Sequence, residues 1–275
     1  PDQYEGRGII DPEGCDMLAG GGLIGKVNVA HAKMSGPTGL KPIALLTDKR
    51  SDVINIAAYS VENRPAPPDM TVIGVVGASM NAGKTTAAAA LAHGLVKAGY
   101  RVAGIKATGT GAFGDFNALL DAGTPFVADF TDAGMPSTYL QPIDVVEQGL
   151  CALLASAREA GADIAVVELA DGIYQQETAA LLESSRVVRE IFDGILFASG
   201  DAVSVVGGIH HLRSIGFDPI AVSGMISLSP LASNEAESIT GIRILKRGEL
   251  MLAEIASTLV APLVEQRANK SQQAA

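Results

Sequence analysis

From residue 71 onward the chain alternates short apolar runs with longer helix-forming stretches. The runs Thr71–Val76, Arg101–Lys106, Pro125–Phe130, Asp163–Glu168, Gly194–Ser199 and Pro219–Ser223 predict strands. Between and after them, Lys84–Ala98, Phe116–Ala122, Val145–Ala160, Gln176–Glu183, Ala202–Ile215, Asn234–Thr240 and Gly248–Leu259 predict helices. Strands that alternate with helices imply an α/β fold with a doubly wound, mostly parallel sheet. Before residue 63 the pattern changes. Leu23–Ala30, Ile43–Leu46 and Val53–Ala57 are β-like, so residues 1–62 predict a small β-rich N-terminal domain. Residues 63–70 hold three prolines and read as a stiff linker, 71–262 as the α/β domain, and 263–275 as a polar tail.

The first strand of the α/β region runs into the most informative stretch, Gly77-Ala78-Ser79-Met80-Asn81-Ala82-Gly83-Lys84-Thr85-Thr86. Strand, small-residue loop and helix in that order make a phosphate-binding loop of P-loop NTPase type. Small residues let backbone N–H groups turn inward, and the helix N-terminus adds partial positive charge. Gly77, Ala78, Ser79, Asn81, Ala82, Gly83, Lys84, Thr85 and Thr86 are the candidate nucleotide contacts. Lys84 would reach the outer phosphates, and Thr85 would place its hydroxyl on Mg²⁺. The loop departs from the usual spacing: the glycine expected five residues before Gly83 is Ala78, with Gly77 one residue earlier.

In doubly wound sheets ligands gather at the carboxyl ends of strands. Lys106 ends the second predicted strand and opens the loop Ala107–Gly111; it is either a phosphate-facing cation or a surface lysine. Glu168 ends the fourth, with Asp171 three residues on; either suits a carboxylate near Mg²⁺, or a loop cap. Asp115 is a metal-shell carboxylate or a helix N-cap. Thr108, Thr110, Asp132 and Ser137 stand in polar loops that would meet a second substrate or only bond their own backbone.

Composition narrows the function classes. Apolar residues make up 48% and aromatics 4%, with no Trp, so the core must be aliphatic. The net charge of −10 argues against nucleic acid or an anionic membrane as partner. No stretch approaches the ~18 apolar residues of a membrane span. The start reads as no signal peptide, and Cys15 and Cys151 read as reduced thiols, so a cytoplasmic location is expected. The chain begins at Pro1 rather than Met, as expected if an upstream piece was removed or left out. His31, His93, His210 and His211 form no metal spacing.

Residues Gly77 to Gly111, with Lys106 closing the next strand, resemble the dethiobiotin synthetase family and its cobyrinic acid amide synthase relatives, members of the SIMIBI class of P-loop proteins. Val167-Glu168-Leu169-Ala170-Asp171 and Ser223–Leu228 are similar to later family motifs. The resemblance implies ATP and Mg²⁺ as cofactors, with Lys84, Lys106 and Glu168 as catalytic residues and Thr85, Glu168 and Asp115 at the metal. It implies a ligase-like reaction that activates a small-molecule carboxylate or carbamate by phosphoryl transfer, in a homodimer. The chain differs from the family at Ser79 (often Asp), at Leu228 (in place of an adenine-reading Asn), at Asp171, and in possessing residues 1–62. Two other readings stand beside it. One is a nucleotide-switch ATPase of partitioning or metallochaperone type acting on a protein partner. The other is an acyl or phosphoryl transferase that uses the loop as a ligand site.

Overall fold

The computed structural model describes residues 4–274; residues 1–3 of the expected N-terminal region and residue 275 lie outside it. The main sheet contains β5 (Thr71–Gly77), β6 (Val102–Lys106), β7 (Phe126–Asp129), β8 (Ile164–Glu168), β9 (Gly194–Ala198) and β10 (Pro219–Ser223). Its strand order is β10-β9-β5-β8-β6-β7, with every pair parallel. β5, β6, β8 and β9 are buried at every residue, which is why each reads as an unbroken apolar run rather than an alternation.

Helices cover both faces. On one side Ala87, Leu91 and Leu95 of α1 (Lys84–Lys97) meet Leu119 of α2 (Phe113–Asp121), Leu250 of α8 (Arg247–Leu250), and Ala256 and Val260 of α9 (Ala253–Ala274). On the other, α3 (Ile143–Glu159), α4 (Gln176–Glu183), α5 (Arg186–Ile191) and α6 (Ala202–Ser214) contribute Leu150, Leu181, Val188 and Ile209, and α7 (Pro230–Thr240) adds Ala236.

Three features depart from the sequence pattern. The six-residue α5 carries no helical signal of its own. The helix expected over Gly248–Leu259 is two helices, α8 and α9. The stretch 263–275, expected as a polar tail, continues α9 as far as Ala274. There Arg267, buried, donates from Nε to Asp193 Oδ2 at 2.9 Å and from Nη2 to the carbonyl of Ile191 at 2.6 Å. That clamp ties the end of the chain to the start of β9.

The N-terminal region forms a four-stranded antiparallel sheet, ordered β1-β3-β2-β4, from β1 (Tyr4–Arg7), β2 (Cys15–Met17), β3 (Ile24–Ala30) and β4 (Gly39–Leu40). The strand expected over Leu23–Ala30 is β3. The other two expected strands, Ile43–Leu46 and Val53–Ala57, are absent from it. They lie in an arm held by one isolated bridge, Thr47 opposite Val53, with Ile54 N–H donating to the carbonyl of Leu46 at 2.9 Å. Ile56–Tyr59 turns into a short 3-10 helix rather than completing a strand. The small sheet rests on the carboxyl-edge loops of the main one. Gly21 N–H donates to Gly111 O at 2.8 Å, and the Tyr139 hydroxyl to Glu5 Oε1 at 3.0 Å.

Candidate functional site

The loop between β5 and α1 turns on two left-handed residues, Asn81 (φ 63°) and Gly83 (φ 99°). A side chain at Gly83 would also press on the backbone of Gly224, 3.0 Å away, so both conformation and space demand glycine there. Gly77 has a different reason: the stem of Lys84 crosses it, and an added Cβ would lie 2.8 Å from Lys84 Cγ. Because α1 starts at Lys84, the N–H groups of its first turn have no helical acceptor and remain for a ligand.

Strand order then brings the chemistry together. β8 lies beside β5, and β6 beside β8, so the ends of these three strands are neighbours. Lys106 and Glu168 are register partners on adjacent parallel strands. Packing of α2 against α1 places Asp115, in the first turn of α2, over the first turn of α1. The helix cap is Ala112, not Asp115, so the capping alternative is excluded.

The Thr85 hydroxyl lies 2.9 Å from Asp115 Oδ1 and 3.0 Å from Glu168 Oε1. One hydroxyl hydrogen serves one acceptor at a time, so two carboxylates compete for it. Asp115 turns its other oxygen to the ammonium of Lys106. Glu168, only 2% exposed, leaves Oε2 buried with no partner. A buried carboxylate oxygen without a donor is costly and calls for a cation or water. Hard oxygen donors in a hydroxyl–carboxylate set suit Mg²⁺, which keeps several waters and takes phosphate oxygens for the rest. Among the described residues no three His, Cys, Asp or Glu side chains form a metal cage.

Lys84 is 6% exposed and donates to the carbonyls of Ser79, at 2.9 Å, and of Asp171. Burial pushes its ammonium below the ordinary lysine range; Glu168 and Asp171 pull it back up, and nearby Lys106 lowers it. The contact with Asp171 is part of a wider overlap. Ile173 N–H donates to Gly77 O at 2.8 Å, and a Cβ on Gly172 would lie 2.8 Å from Ala78 O. The loop after β8 therefore lies directly on the phosphate loop.

The other candidates are knitted into the same edge. Thr108 donates its hydroxyl to Ala170 O at 3.0 Å and accepts from Ala170 N at 2.8 Å, lacing the loops after β6 and β8 together. The hydroxyls of Thr110 and Ser137 meet at 2.9 Å. Asp132 turns inward and accepts from Asp129 N at 2.9 Å. Asp171 reaches the site through its carbonyl. Cys15 and Cys151 are free thiols.

One buried acid carries no sequence signal beyond its place at a helix start. Glu177, 4% exposed, accepts from Leu140 N at 2.5 Å, leaves Oε2 without a partner, and joins the loop after β7 to the first turn of α4.

No protein-family model and no curated protein matches the sequence. Solved structures resemble it in fold. The signal recognition particle 54 kDa protein from Aeropyrum pernix K1, in complex with GDP, is 20% identical at a TM-score of 0.46, over 79% of this chain and 52% of that one. The chain thus spans about half the length of that protein. The signal recognition particle receptor FtsY from Elizabethkingia anophelis is 17% identical at a TM-score of 0.46, over 74% of this chain and 70% of that one. FtsY from Mycoplasma mycoides is 17% identical at a TM-score of 0.46, over 76% and 71%. None of the three is a dethiobiotin synthetase. At these identities and TM-scores the likeness carries no argument, and ligand and reaction rest on the geometry of this chain.

Proposed function

We propose that this chain is a Mg²⁺-dependent nucleoside triphosphatase that uses its nucleotide as a switch. The observation that carries the reading is the position of Lys84, whose ammonium is held by the carbonyl of Asp171. An arriving phosphate chain competes for that ammonium and so pulls on the loop 170–173, which rests on the phosphate loop. A segment released or re-ordered by the terminal phosphate is the usual form of a nucleotide switch.

The division of labour follows from the geometry. The first-turn N–H groups of α1 cradle phosphate oxygens, and Lys84 neutralises the outer ones. Thr85, Asp115 and Glu168 would hold Mg²⁺, which supplies positive charge to the phosphoryl oxygens when bound. Lys106, fixed by Asp115, adds a second ammonium where negative charge gathers on transfer. The cradle touches only phosphate, so it serves ATP and GTP alike.

Lys106 also favours a second reading, in which phosphoryl transfer activates a small carboxylate or carbamate. A second cation beside the metal shell suits an acceptor that is itself an anion. Calorimetry with Mg-ATP and Mg-GTP tests nucleotide binding, and Lys84→Ala should weaken it by roughly 10- to 150-fold, the worth of a charged hydrogen bond. Slow basal hydrolysis that no small carboxylate accelerates supports the switch. Phosphate release that requires such an acceptor supports the second reading, and flat calorimetric traces with both nucleotides refute both.

A further inference from the structure

Residues 41–60 are anomalous in one respect. Every residue of this arm except the half-buried Pro42 is exposed, yet Ile43, Leu45, Leu46, Val53, Ile54 and Tyr59 are large and apolar. Ile43 is 97% exposed and Leu46 79%. Even a full two-stranded hairpin is marginal in water on its own, this arm has a single bridge, and exposed apolar surface on this scale marks an interface. The arm leaves the body beside β7: Val61 N–H donates to Asp132 O at 2.8 Å, just past that strand.

A second exposed apolar surface lies at the opposite end of the sheet. Leu231 (72% exposed) and Ile239 stand on the outer face of α7, with Leu228 before them and Val203 (82%) on neighbouring α6. β7 and β10 are the two edges of a six-stranded sheet. They are therefore about 24 Å apart at ~4.8 Å per strand spacing. The arm does not fold back onto α7 of its own chain.

Charge points to the same pairing. The arm carries Lys41, Lys49 and Arg50 against Asp48 and Asp52, a net +1, so the rest of the chain carries −11. The α7 surface is bordered by Glu235 and by Asp201, the cap of α6. We propose that the arm docks on the α7 surface of a second copy of this chain. The contact closes as a dimer when a two-fold axis sets each arm on the other copy's α7 surface; repeated head to tail it would instead build a larger assembly, which the mass distinguishes.

Sedimentation equilibrium of the full chain tests this. The expected mass is twice 28.2 kDa. Leu46→Glu and, separately, Leu231→Glu should each return it to the monomer with the parent's far-ultraviolet circular dichroism, since both side chains are exposed in the single chain. Carbodiimide cross-linking of a mixture of heavy- and light-isotope chains should join Lys49 or Lys41 to Glu235 between copies. A monomeric native chain overturns the proposal, as does a dimer indifferent to either substitution, or one whose cross-links join arm only to arm.

Discussion

Thr85 and Glu168 are 83 positions apart in the chain, yet their side-chain oxygens lie 3.0 Å apart at the head of α1. The contact leaves the second oxygen of Glu168 buried and unpartnered. Glu168→Gln keeps the shape and the hydrogen bond but removes the charge. The Mg²⁺ concentration for half-maximal turnover should rise by roughly 10- to 100-fold, as for other losses around metal ligands. A magnesium titration of steady-state hydrolysis reads it, and an unchanged midpoint would take Glu168 out of the metal shell.

Lys106 is wanted most where charge develops. Lys106→Ala should lower kcat by on the order of 10²-fold, with a much smaller change in nucleotide Kd. Comparing single-turnover rates with calorimetric affinities separates the two, and equal losses in both would make Lys106 a binding residue only.

Arg267 and Asp193 form a buried pair, with side chains 10% and 0% exposed. Arg267→Ala strands the carboxylate and should cost about 3–5 kcal/mol of stability. Urea unfolding monitored by circular dichroism measures it. A loss near zero would mean that the end of α9 is dispensable.

Asp132 offers a pH signature. Burial raises its pKa above the ordinary aspartate value and nearby Asp129 adds to this, while the bond from Asp129 N–H opposes them. A raised pKa means that the folded state favours the protonated form. The associated stability is full below the unfolded pKa and is lost as pH rises through the folded one. Asp132→Asn should therefore melt at a higher temperature than the parent at neutral pH, and the gap should close as pH falls through the carboxylate range. A gap independent of pH would assign the effect to packing instead.

The buried sheet is legible in the sequence because its central strands are unbroken apolar runs, β6 and β8 stopping at a charged residue. Pro219–Ser223 and Gln176–Glu183 have the same bounds in sequence pattern and structure. Lys106 and Glu168 are visible for the same reason, as polar residues where such runs end, and Lys84 and Thr85 because they open a helix after a small-residue loop. Their convergence with Asp115 is less visible, because it depends on α2 packing against α1. β1, β2 and β4 are two to four residues long, too short for a period to show. Ile43–Leu46 has a strand's composition but only the arm to pair with. The polar appearance of residues 263–275 conceals Arg267, whose partner lies 74 positions earlier.

The contact between the phosphate loop and the loop after β10 is made by main-chain atoms: Met225 N–H meets Ala82 O at 3.1 Å, and Gly224 lies against Gly83. Side chains at 225 and 228 take no part in that seam and point outward. The seam therefore does not depend on what stands at those two positions, and the stretches on either side of it are joined backbone to backbone.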